Sequence, residues 1–244
     1  MTIYKSRLRS QSWAGESVGI IVLDCFYPFI PGNVANATTY DFPVRYALAE
    51  GVTGEKLLYH ADASLLPAFV AAAQKLQDEG VLGITGACGF MALFQREIAA
   101  AVDIPVFASS LLQVNFMHQI TGKRVGVICA DSTCLKPGHL AGTGVSPDVP
   151  LAVTGMEGCA AFNSGIRANI GELDDDALRQ GVIGVARDLV ARNPDVGSIL
   201  LECSDLPPYA HAVQAATGLP VFDFNTMINY VHETLTRRPY RGRM

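Results

Sequence analysis

Along the 244-residue chain, short apolar runs alternate with longer stretches whose apolar residues recur every three to four positions. The runs predict strands at Val18–Leu23, Val81–Thr85, Pro105–Ala108, Val125–Cys129, Leu151–Thr154, Ser198–Glu202 and Pro220–Phe222. Between them, Leu65, Leu66, Phe69, Val70, Ala73 and Leu76 mark one face of a helix that Gly80 stops. Asp174-Asp-Asp176 sets acid at the positive end of a second helix, with Leu178, Val182, Val185, Leu189 and Val190 as its buried stripe. A last helix is expected over Asn225–Arg237. Strand–helix alternation of this kind predicts parallel sheets covered by helices, an α/β fold.

The pattern repeats. Ser17-Val-Gly-Ile-Ile-Val22 is similar to Arg124-Val-Gly-Val-Ile-Cys129. Gly83-Ile-Thr-Gly-Ala-Cys88 leads to Ile104-Pro-Val-Phe107, and Ser198-Ile-Leu-Leu-Glu-Cys203 leads to Leu219-Pro-Val-Phe222, with 17 residues from Cys to Pro in each. The repeat predicts two α/β halves, residues 1–118 and 119–222, joined closely through Thr121-Gly-Lys123 and related by a pseudo-twofold axis with a cleft between them. Residues 223–244 are expected to pack back on the first half.

Composition narrows the class. Half of the residues are hydrophobic, 17% are charged, and the mean hydropathy is +0.26, which excludes a disordered chain, a collagen-like repeat and a coiled coil. A net charge of −5 disfavours nucleic acid and anionic membranes as partners and leaves small molecules. No apolar run is long enough for a membrane span, and none succeeds Lys5, Arg7 and Arg9 as a signal peptide requires, so a cytoplasmic protein is expected. In that compartment the six cysteines remain thiols, and their spacing offers no zinc ligand set. No Gly-rich phosphate loop opens a helix, so no nucleotide site is expected.

Cys88 and Cys203 each end an apolar strand before a helix, where open parallel sheets bind ligands. A helix start there offers free N–H groups for a carboxylate and is expected to lower the thiol pKa. Two opposed thiols suit carbon-acid chemistry, in which one removes a proton and the other supplies one to the opposite face. Cys129, Cys134 and Cys159 read as packing residues.

These segments resemble the aspartate/glutamate racemase superfamily, which includes hydantoin racemases, maleate isomerases and arylmalonate decarboxylases. Ala87-Cys-Gly-Phe-Met-Ala92 is similar to its first motif, Ala-Cys-Asn-Thr-Ala. Glu202-Cys-Ser-Asp-Leu-Pro207 is similar to its second, Gly-Cys-Thr-His-aromatic-Pro, and Asp24-Cys25 stands where Asp-Ser often comes after the first strand. Gly89-Phe90 replaces Asn-Thr and Asp205 replaces the histidine, which places amino-acid recognition in question. The decarboxylases keep one of the cysteines, so both together favour a racemase or isomerase. The resemblance implies a cofactor-independent, homodimeric racemase or epimerase of amino acids or related α-substituted carboxylates, with Cys88 and Cys203 as its acid/base pair. A maleate-type isomerase or hydantoin racemase on the same fold, and a non-catalytic carboxylate binder, are the alternatives.

Supporting residues have two readings each. Asp24 either orients the proton of Cys88 or caps a turn, and Asp205 either serves Cys203 or caps the helix at Pro207-Pro208. Gly89, Phe90, Ser204 and Ser110 are candidate carboxylate donors, with Ser109 as an N-cap. Arg45 either binds a distal carboxylate or pairs at the surface. Cys25 is a candidate wall of the pocket, and His211 belongs on a helix face.

Overall fold

The computed structural model describes Ile3, residues 12–60 and residues 62–244; Lys5, Arg7 and Arg9 lie outside the described residues. The first half carries strands β1 (Val18–Asp24), β2 (Val44–Thr53), β3 (Gly83–Gly86) and β4 (Val106–Phe107). Its helices are α1 (Gly54–Tyr59), α2 (Leu66–Asp78), α3 (Gln95–Ala100) and α4 (Val114–Thr121). The second half carries β5 (Arg124–Cys129), β6 (Leu151–Gly155), β7 (Val196–Leu201) and β8 (Val221–Phe222). Its helices are α5 (Pro137–Gly142), α6 (Ala160–Phe162), α7 (Asp175–Arg192), α8 (Ala210–Thr217) and α9 (Phe224–Leu235).

Both sheets are fully parallel, ordered β2-β1-β3-β4 and β6-β5-β7-β8, so each half repeats the same winding. Ile84 pairs with Val106 in one sheet and Ile199 with Val221 in the other, which is the structural form of the matched Cys-to-Pro spacing. The β7 run is buried at every position, as a central parallel strand covered on both faces must be.

The sequence pattern does not mark β2. Val44–Thr53 contains Ala, Leu, Glu and Gly, which favour other conformations, yet it pairs along β1 from Val18↔Val44 onward as the edge of the sheet. Ala47, Ala49 and Val52 face the core, while Leu48 and Glu50 face outward. Asp174 caps α7 as expected, accepting from the Ala177 N–H at 2.9 Å.

The two halves cover one another. α4, the last helix of the first half, packs Val114 and Met117 against Val125, Val127 and Leu200 of the second sheet. Reciprocally, α9 lays Phe224, Met227 and Ile228 on Val18, Ile20 and Phe107 of the first. A further continuous core runs from Ile21 and Ile84 to Ile128 and Leu201. The carboxyl ends of the central strands of both sheets therefore open on a shared cleft.

Candidate active site

At the reversal of strand order in each sheet, the chain leaves a crevice beyond the strand ends. Cys88 lies two residues past β3 and Cys203 two residues past β7, so the two sulfurs occupy equivalent places. Both line one cleft of about 470 Å³ with Ala87, Ser204 and Asp205. Its other walls include Cys25, Tyr27 and Phe29 after β1, Tyr59 of α1, and Phe162 and Arg167 of the second half.

Each thiol is held alike. The Phe90 N–H donates to Cys88 and the Asp205 N–H to Cys203, two residues on in each case. These donors do not lower the thiols below their ordinary range, in contrast to the expectation for a helix start. Burial pushes both well above it; Glu202 adds to the rise at Cys88 and Asp205 at Cys203. The reason lies in the local backbone. Cys88 opens a 3-10 helix of six residues, Gly89–Phe94, and Cys203 opens no helix directly, since Pro207–Tyr209 begins four residues later. Short ends of this kind carry little dipole, and desolvation outweighs them.

Asp205 does not cap a helix: Leu206 takes the cap position and makes no side-chain cap bond. Its carboxylate instead accepts from Asn33 Nδ2 at 2.7 Å, from the Tyr27 hydroxyl at 3.2 Å to each oxygen, and from the Cys203 thiol at 3.6 Å. Burial raises its pKa, and the three donors pull it back. The sequence pattern singles out neither Tyr27 nor Asn33. They sit in the loop after β1, a segment with no periodicity to mark them, and reach Asp205 only across the cleft.

Asp24 is exposed at the end of β1 and does not line the cleft. The carboxyl nearest in influence to Cys88 is Glu202, wholly buried just past β7. Neither of its oxygens has a hydrogen-bond partner, and burial pushes its pKa up to about 8. Gly89 makes room for it: a Cβ there would stand 2.1 Å from Glu202 Oε1. The signal visible in the sequence is the pair of departures from the family motifs, Gly89 where a side chain is usual and Glu202 where glycine is.

Gly89 and Phe90 are buried beneath the cleft wall. Ser110 and Ser204 fasten the halves together: Ser110 Oγ donates to the Glu202 carbonyl at 3.3 Å and Ser204 Oγ to the Ala87 carbonyl at 2.7 Å. Of these two hydroxyls, only Ser204 lines the cleft. Ser109 is an N-cap, accepting from the Leu111 N–H. Arg45 stands at the amino end of β2, ion-paired to Glu79 at 2.6 Å and stacked on Trp13, and is not part of the cleft. The cationic group in the cleft is Arg167, in a π-helical turn; it bonds Asp131, lies over the Tyr59 ring, and leaves its Nε without a partner. His211 is exposed on α8.

Comparison with known proteins identifies relatives that cover most of the chain. A family model described as Asp/Glu/Hydantoin racemase matches residues 60–228. A dimethylsulfoniopropionate lyase of Durusdinium sp. clade D is 34% identical over 215 residues, covering 85% of this chain and 71% of that protein. Dimethylsulfoniopropionate lyase 6 of Emiliania huxleyi is 33% identical over 241 residues; the match covers 93% of this chain but only 61% of that relative. Among solved structures, an aspartate racemase of Picrophilus torridus superposes with a TM-score of 0.58 at 14% identity, covering 90% of this chain and 94% of that one, a likeness of fold.

Proposed function

The chain belongs to the Asp/Glu/hydantoin racemase family, and from that premise we propose that it is a lyase that eliminates a β-leaving group from a small carboxylate of the dimethylsulfoniopropionate type. The observation that carries the proposal is the pair of thiols at equivalent strand ends on one cleft, in a chain whose relatives are named for that lyase activity. Racemisation and this elimination share a first step, removal of a proton from the carbon next to a carboxylate. They differ in the fate of the electron pair left behind. Where the neighbouring carbon bears a sulfonium, that pair forms a C=C bond and expels neutral dimethyl sulfide, leaving acrylate. One base suffices, and the neutral leaving group needs no acid.

The lining of the cleft supports such a zwitterion. Arg167, already paired with Asp131, supplies the positive charge on the cleft wall that draws a carboxylate. Tyr27 and Phe29, with ring centroids 4.8 Å apart, offer aromatic faces to a sulfonium, and Asp205 behind Tyr27 adds negative charge. In this reading Cys88, as thiolate, takes the proton, and Cys203 with Asp205 forms the opposite wall. A two-base racemase or epimerase remains the second reading because both thiols are present.

The test incubates the protein with dimethylsulfoniopropionate in deuterated water and tracks dimethyl sulfide in the headspace and acrylate by proton NMR. Cys88→Ala should lose about 10²–10⁴-fold in rate, the usual worth of a positioned base, and Cys203→Ala markedly less. No elimination, with α-proton exchange of amino acids that needs both cysteines equally, would replace the lyase by the racemase.

A further inference from the structure

Among the described residues, three charged side chains line the cleft: Glu55, Arg167 and Asp205. Glu55 is exposed, so water and salt screen it, and Arg167 is ion-paired with Asp131. Asp205 is buried, and none of the ion pairs among the described residues includes it. Its carboxylate only accepts, from Asn33 Nδ2, the Tyr27 hydroxyl and the Cys203 thiol, which is the pattern of an ionised group. Those donors satisfy its lone pairs but bring no positive charge. Buried charges are normally paired, so a carboxylate that borders a cleft without a counter-ion leaves the place of a cation to the ligand.

The kind of cation follows from the same wall. Both oxygens of Asp205 already accept hydrogen bonds, so the group offers charge more than free acceptor positions. Tyr27 and Phe29 line the cleft on this side, with ring centroids 4.8 Å apart. Aromatic faces and a carboxylate whose lone pairs are taken suit a cation that carries methyl groups in place of N–H donors. A primary ammonium there would give up its water for acceptors already in use. We propose that Asp205, with Tyr27 and Phe29, is the specificity-determining wall of a trialkyl-onium site, which reads the charge and methylated surface of the head and not the sulfur within it. The inference rests on the reading of this cleft as the site of a sulfonium carboxylate, and it widens the ligand class to quaternary ammonium carboxylates. A trialkylamine leaves far less readily than a dialkyl sulfide, so such molecules bind as inhibitors. Amino acids, whose heads keep their N–H groups, are disfavoured.

The experiment measures binding by isothermal titration calorimetry. The probes are 3-(trimethylammonio)propanoate; 4,4-dimethylpentanoate, the same shape with a neutral head; and 3-aminopropanoate, a primary ammonium. The wild type should bind the first about tenfold or more tighter than either of the others. In Asp205→Asn the preference over the neutral isostere should fall to about twofold or less, while affinity for the isostere itself stays within about threefold. A residue that only holds the fold together would weaken both ligands alike, and that outcome overturns the proposal. So does full preference retained in the variant. Should Asp205→Asn not fold, the wild-type panel decides: tightest binding of the trimethylammonium probe supports the site, and equal binding, tightest binding of 3-aminopropanoate or no binding of any probe overturns it. Because binding needs no turnover, a failed elimination assay with the onium preference intact removes the lyase reaction and not the site.

Discussion

A carboxyl group with no donor in reach holds its proton more tightly in the folded protein than in the unfolded chain, and this has a consequence for stability at Glu202. Its pKa rises from an ordinary 4.5 to about 8 on folding. Below the lower value both states are protonated and the group costs nothing. As pH rises from there to about 8, the unfolded state is ionised while the folded state still binds the proton, so stability falls. One such group contributes a slope of about 1.4 kcal/mol per pH unit in that window. Asp223, raised by burial to about 6, adds the same sign at the acidic end. Urea midpoints from pH 5 to 8 should therefore decline in the wild type, and less steeply in Glu202→Gln. Equal slopes would mean that Glu202 is solvated or paired in solution. At this scale the sequence is legible in part. Cys88 and Cys203 stand out by repetition, and Asp205 by its distance of two residues from the second thiol. Arg167, Tyr27 and Asn33 carry no local signal, because each acts on a partner more than 30 residues away.

At the scale of the element, the ends of β3 and β7 are built as complements. The short 3-10 helix after β3 begins with Gly89, and the residue after β7 is Glu202, whose carboxyl and carbonyl close on that glycine. Gly89→Ala places a Cβ 2.1 Å from Oε1 and 2.5 Å from the Glu202 carbonyl oxygen, so the backbone must move. Overpacking of this kind should cost about 1–3 kcal/mol in urea unfolding. Adding Glu202→Ala should recover part of the loss, because two of the three closest atoms belong to the carboxyl. Strictly additive losses would separate the two residues. The same scale holds the clearest failure of periodicity. β2 is an edge strand whose Ala-Leu-Ala-Glu core reads as helix-forming, and its conformation comes from pairing with β1.

In the whole molecule, the halves exchange their last helices, α4 to the second sheet and α9 to the first. Neither sheet has a complete cover without the other half, so the cleft between them is held by packing and by the Ser110 and Ser204 bonds across it. Truncation after Asp223, which deletes α9, uncovers Val18, Ile20 and Phe107 and should abolish cooperative folding. Circular dichroism with urea should show a broad, low-midpoint transition, and retention of the full-length midpoint would show that α9 is dispensable. No helix among the described residues is long and apolar enough to cross a membrane.

The sequence by itself determined the α/β class, the duplication and the two thiol positions. Each is written in local periodicity and spacing, which the chain carries before it folds. The tertiary structure alone decided which acidic groups lie near the thiols. Asp24, close to the first motif by analogy, faces solvent, whereas Glu202 from the other half lies buried against Gly89, the residue after Cys88. It also reversed the expected direction of the thiol pKa values, because burial is a property of the packed cleft, and at these short helix ends its cost exceeds the few N–H donors that the motif supplies.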